Sequence, residues 1–110
     1  PYNFIACFEG VPELNQYNLD TAYIFGNELE KTNPDFQNEK GYMKNEPGTG
    51  NLGMSTNLIA HRFDAVAMTV EMPFKDTVDS PNPKTGWSPE RSIKLGYSSL
   101  DALRTIVERL

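Results

Sequence analysis

Residues 65–74 read Ala-Val-Ala-Met-Thr-Val-Glu-Met-Pro-Phe, and their alternation constrains the fold more than any other stretch. In a strand, alternate side chains share a face. Val66, Met68, Val70, Met72 and Phe74 then form one bulky face, suited to packing under helices. Ala65, Ala67, Thr69 and Glu71 form the other, small and then polar. Pro73 has no N–H to give a ladder, so pairing is expected to end near it. The run predicts a strand over 65–74, with a carboxylate at its C-terminal end in surroundings apolar enough to make burial expected and ionisation costly. Ligand sites of open α/β sheets lie beyond the carboxyl ends of strands. Desolvation and neighbouring charge are the means by which enzymes tune a carboxylate into a general base. A partly exposed strand-end glutamate, or one held in a structural ion pair, has the same pattern.

The remaining elements follow from turn chemistry and periodicity. Pro1–Phe8 is a second buried-strand pattern, closed by the turn signal Glu9-Gly10-Val11-Pro12. A helix carrying Ala22, Tyr23, Phe25 and Leu29 is predicted after a cap at Asn18 or Asp20, stopped by Asn33-Pro34. Residues 35–50 are polar and turn-rich and predict a long surface loop of the kind that often serves as a lid or binding loop. A short helix is expected over 51–61. Lys75–Arg91, with Pro81, Pro83 and Pro89, predicts a second long loop in which Trp87 is a packing anchor. The end is expected to be an amphipathic helix over 98–110, capped by Ser98 or Ser99, with Leu100, Leu103, Val107 and Leu110 on its core face. Two strands and three helices predict an α/β chain, and two strands alone make a poor closed domain. A piece of a larger α/β layer structure is therefore expected.

Charge and composition exclude some classes. The net charge is −5, and no Lys/Arg block stands out, which argues against a nucleic-acid partner. No run approaches the ~18 apolar residues of a membrane helix. The lone cysteine, Cys7, lies in an apolar run and can make no internal disulfide, fitting a reducing, cytoplasmic setting and a buried thiol. Gly48-Thr49-Gly50 lacks the lysine of a phosphate loop. His61-Arg62 stands before the strand, where the dipole at a helix C-terminus favours it. Arg62 is a candidate for pairing with an acidic substrate tail. Tyr42, in the first loop, is a candidate hydrogen-bond donor to a substrate.

Thr69-Val70-Glu71-Met72-Pro73-Phe74-Lys75-Asp76, followed by Gly86-Trp87-Ser88-Pro89-Glu90-Arg91-Ser92, resembles the C-terminal part of the cytosolic branch of zinc metallocarboxypeptidases. Three further stretches resemble that branch in consistent order: Pro1–Ala6 with Glu9-Gly10, Asn33–Gln37, and Asn57–Asp64. The resemblance implies that residues 1–110 are the C-terminal part of an α/β/α, mixed-sheet catalytic domain. It implies that Glu71 is the general base and acid, accepting a proton from the attacking water and returning it to the leaving amine. It implies that Thr69 lines the pocket. It also implies a substrate that is a peptide or protein C-terminus, cleaved at a peptide or isopeptide bond, and a zinc ion in the complete enzyme. The family's His-x-x-Glu, Asn-Arg pair and second histidine are not in this sequence, so the zinc ligands are expected in a remaining N-terminal part, which becomes this chain's partner. The competing expectation is a non-catalytic α/β interaction or regulatory fragment in which Glu71 is structural.

Overall fold

The computed structural model describes all of residues 1–110. In chain order the elements are β1 (Phe4–Ala6), α1 (Gln16–Thr32), α2 (Ser55–Phe63), β2 (Thr69–Glu71) and α3 (Pro89–Ile106), the last running into a 3₁₀ turn at Val107–Arg109. The architecture is α/β, with three helices around one two-stranded antiparallel sheet. The register pairs Phe4 with Glu71, Ile5 with Val70 and Ala6 with Thr69. An isolated parallel bridge joins Asn3 to Phe36 on the strand's other flank.

Pairing in the predicted strand is confined to Thr69–Glu71, far short of 65–74. Its partner β1 is itself only three residues long, because the chain turns away at Glu9-Gly10, where Gly10 adopts φ +79°. Residues 66–68 remain useful to packing without a partner strand. Val66 and Ala67 join the cluster of Phe8, Val11, Leu19, Ala22 and Ala60. Val70 joins that of Phe25, Leu29, Phe36, Leu95, Ala102 and Ile106, and Met68 touches both. The bulky face therefore packs inward at Val66, Met68 and Val70 but opens at Met72 and at Phe74, whose side chain is fully exposed.

α1 begins earlier than predicted. Asn15 is the cap, its Oδ1 accepting from the Asn18 amide at 3.2 Å, which satisfies one of the free N–H groups of the first turn. Asn18 lies inside the helix and donates through Nδ2 to the Asp64 carbonyl at 2.9 Å. Asp20 accepts from Gln16 one turn back at 2.8 Å. The stop at Asn33 is as expected, with the Asn33 amide returning to the Leu29 carbonyl at 3.0 Å. α2 starts at Ser55 rather than near 51, because the Asn51 side chain accepts from the Gly53 amide at 2.8 Å and spends those residues on a turn.

α3 departs most from its prediction. Ser88 caps it, accepting from the Arg91 amide at 3.3 Å. Pro89 occupies the first helical turn and Glu90 follows, an acidic residue where the dipole favours one. The helix is therefore under way well before Ser98. Its buried side chains are Leu95, Ala102 and Ile106, because α3 lies along α1 and a small residue at 102 allows close approach. The stripe expected in the core faces outward, with Leu100, Leu103, Val107 and Leu110 all exposed.

Candidate active site

β2 ends on Glu71, opposite Phe4. The glutamate is half-buried, not enclosed. The first long loop folds over this end of the sheet. The Tyr42 ring meets Phe4 edge-on, with centroids 5.0 Å apart, and a Cβ at the neighbouring Gly41 would press on the Phe4 ring at 3.0 Å. Through Phe4 the Tyr42 ring is brought beside the end of β2 that carries Glu71. The charge of Glu71 is the main cause that pushes the phenol's pKa above its usual range, with desolvation and the hydroxyl's approach to that carboxylate adding to it. Tyr42 remains 64% exposed, so the pair is open to solvent and to a ligand.

Thr69, two residues back on the face of Glu71, shares a 2.6 Å hydrogen bond with the Thr56 hydroxyl in the first turn of α2. Arg62 stands in the last turn of α2, exposed, with its guanidinium 5.6 Å from the Phe63 ring centre. Glu71, Tyr42 and Thr69 are thus gathered at the end of β2, whereas Arg62 leans on its own neighbour. His61 is held by its Nδ1, 2.9 Å from the Pro12 carbonyl.

A cavity of about 650 Å³ opens along β1, walled in part by Phe4, Tyr42, Lys44, Met54 and Asn57, with Glu71 and Thr69 outside its lining. At its far side the Tyr23 hydroxyl donates to Glu9 Oε1 at 2.8 Å and accepts from Lys44 Nζ at 3.1 Å. Cys7 also lines it. Burial, followed by the charge of Glu9, pushes the Cys7 thiol pKa up to about 12, which leaves it a poor nucleophile.

No three His, Cys, Asp or Glu side chains converge in the chain to hold a metal ion, and its only histidine is engaged with Pro12. These residues do not fit a zinc centre.

Sequence reasoning misses Arg91, which the proline pattern places at the end of a loop. Its side chain is 14% exposed. Nε donates to Asp35 Oδ2 at 3.0 Å and Nη2 to Asp35 Oδ1 at 2.7 Å, a two-pronged clasp. Nη1 donates to Asp76 Oδ1 at 2.8 Å and to the Gly86 carbonyl at 3.1 Å. Nη2 also reaches the Ser80 carbonyl at 2.8 Å. The guanidinium lies 4.8 Å from the Trp87 ring centre. Hydrogen bonding to Arg91 is the main cause that holds the Asp35 carboxyl below the usual carboxylate range. The available signal is that Asp35, Asp76 and Arg91 each sit inside a stretch bearing the family resemblance.

With this geometry in place, solved structures decide the architecture. A candidate carboxypeptidase A from Shewanella denitrificans OS-217 superposes with a TM-score of 0.94 at 40% identity, over 99% of this chain and 29% of that one. A metallo-carboxypeptidase from Pseudomonas aeruginosa, in complex with (2-guanidinoethylmercapto)succinic acid, gives 0.93 at 38% identity, over 98% of this chain and 28% of that one. The fold matches that of metallo-carboxypeptidases. An uncharacterized protein of Zymomonas mobilis subsp. mobilis is 46% identical over 110 residues, which are 100% of this chain and 29% of that protein. No protein-family model matches. The chain spans less than a third of the length of these relatives.

Proposed function

We propose that the chain supplies the proton-transfer side of a metallo-carboxypeptidase active centre of the cytosolic branch, acting in the cytoplasm on peptide or isopeptide bonds at C-termini. The observation that carries this reading is the meeting of Glu71 at the end of β2 with Tyr42 from a separate loop, through Phe4, which pairs with the one and meets the other edge-on, in a chain 98% of which overlays 28% of a metallo-carboxypeptidase. Glu71 accepts a proton from the attacking water and delivers it to the leaving amine. A half-buried, solvent-open carboxylate suits this double task, because it must exchange protons with two different groups in one turnover. Tyr42 donates a hydrogen bond to the substrate beside it. Thr69, held in place by Thr56, lines the same face, and the cavity walled by Phe4 and Tyr42 receives part of the substrate. Arg62 pairs with an acidic substrate tail after leaving the Phe63 ring. Zinc belongs to the complete enzyme, held by residues of a remaining N-terminal part that packs on this chain.

The test is Glu71→Gln in the full-length protein, assayed on a panel of N-acyl dipeptides with free C-terminal carboxylates. Glutamine preserves volume, and the Phe4–Glu71 pairing is made by backbone, so melting temperature and metal content should hold. Removing the proton acceptor should lower kcat by ~10²–10⁴-fold. Retained kcat with a fallen melting temperature would make Glu71 a scaffold residue and end the proposal.

A further inference from the structure

The Arg91 clasp is connected to the chain just before β1 and just after β2 by separate routes. On one route, Arg91 grips Asp76, five residues beyond Glu71. Asp76 in turn accepts from the amides of Thr77 at 2.8 Å and Asn82 at 2.7 Å, and the Lys75 carbonyl accepts from the Trp87 amide at 2.7 Å. The segment leaving β2 is therefore tied down almost as soon as it passes the buried Pro73. On the other route, Arg91 clasps Asp35, whose backbone carbonyl accepts from Asn3 Nδ2 at 3.0 Å. The Asn3 carbonyl accepts from the Gln37 amide at 3.3 Å. Asn3, fully buried, immediately precedes Phe4, the residue paired with Glu71. The Val78 amide donates to the Pro1 carbonyl at 3.0 Å and links the two routes.

A sheet of three-residue strands holds little register of its own. We infer that Arg91 is a positioning residue for Glu71: its guanidinium fixes the segment that enters β1 and the segment that leaves β2, both at the end of the sheet where Phe4 pairs with Glu71, and so sets where the carboxylate stands relative to the attacking water. This inference rests on the reading of Glu71 as the proton-transfer group. A planar fork is required, since a lysine ammonium cannot clasp Asp35 with two parallel bonds and also reach Asp76, Gly86 and Ser80. Small misplacements matter in such sites, where an error near 1 Å costs about 10²-fold.

The experiment is a double-mutant cycle in the full-length protein, on the same N-acyl dipeptides, well below the melting temperature of every variant. Arg91→Lys is expected to lower kcat roughly 10–100-fold with KM nearly unchanged, and to speed exchange of the hydrogen-bonded amides in Phe4–Ala6 and Thr69–Glu71. The double variant Glu71→Gln/Arg91→Lys is expected to be no slower than Glu71→Gln alone, because a group acting only through Glu71 has nothing left to position. Should Arg91→Lys fold poorly, Asp76→Asn takes its place in the cycle. Unchanged kcat in the Arg91 variant, or losses that multiply in the double variant, would overturn the positioning role while leaving Glu71 intact. A Glu71→Gln enzyme that keeps its activity would overturn the reading of Glu71, and the positioning role with it.

Discussion

Gly86 sits where the loop between β2 and α3 passes closest to its own earlier backbone, and replacing it with alanine isolates what that approach is worth. Its φ is +62°, in the left-handed region, and a Cβ there would run into the Lys75 carbonyl oxygen. Gly48 is the matched control, with φ +77° and nothing within 4 Å of where a methyl group would stand. Both substitutions incur the left-handed penalty, roughly 1–2 kcal/mol. Only Gly86→Ala must also displace Lys75, whose carbonyl accepts from Trp87 at 2.7 Å; losing that bond and leaving its partners unmet adds about 1–3 kcal/mol. Gly48→Ala is thus expected to cost about 1–2 kcal/mol and Gly86→Ala about 2–5 kcal/mol. Calorimetry on the two variants in parallel gives the difference, and Trp87 fluorescence reports the local shift. Equal losses would show that the Lys75–Trp87 approach contributes nothing to holding the loop.

Two further expectations follow from the ionisable groups. The folded Asp35 carboxyl lies below its usual 3.8, so its stabilisation is complete above that value and is lost as pH falls through the lower folded value. The Tm gap between the native protein and Asp35→Asn should therefore be constant near neutrality and close below about pH 4; a gap indifferent to pH would contradict the ion pair. With its pKa pushed up to about 12, the half-buried Cys7 should resist iodoacetamide at pH 8 in the folded protein and react on unfolding in urea, and alkylation of the native protein at a free-thiol rate would contradict the raised pKa.

The two strands and the carboxylate at the end of the second are legible because alternation is a local signal, written in consecutive side chains. How far pairing extends is not, since it depends on β1, which stops at Ala6 for reasons of its own. The start of α3 is in view as Ser88-Pro89-Glu90, a cap, a first-turn proline and an acidic residue. Counting every proline as a breaker turns that stretch into loop, although a proline in the first turn lacks only an N–H that has no partner there. The stripe along α3 points outward because periodicity identifies a face without saying what lies opposite it; contact with α1 selects the smaller face of Leu95, Ala102 and Ile106. Tyr42 meets Glu71, and Arg91 meets Asp35, across separations that no local pattern encodes.

The span of the Arg91 clasp also sets an order of events during synthesis. Asp35 and Arg91 are 56 positions apart, and at ~5–20 residues per second the arginine emerges roughly 3–11 s after its partner. α1 is synthesised by then, but β1 waits for β2, Asp35 for its cation and the packed face of α1 for α3. The residues around Glu71 therefore reach their working arrangement only after the first turn of α3 has left the tunnel.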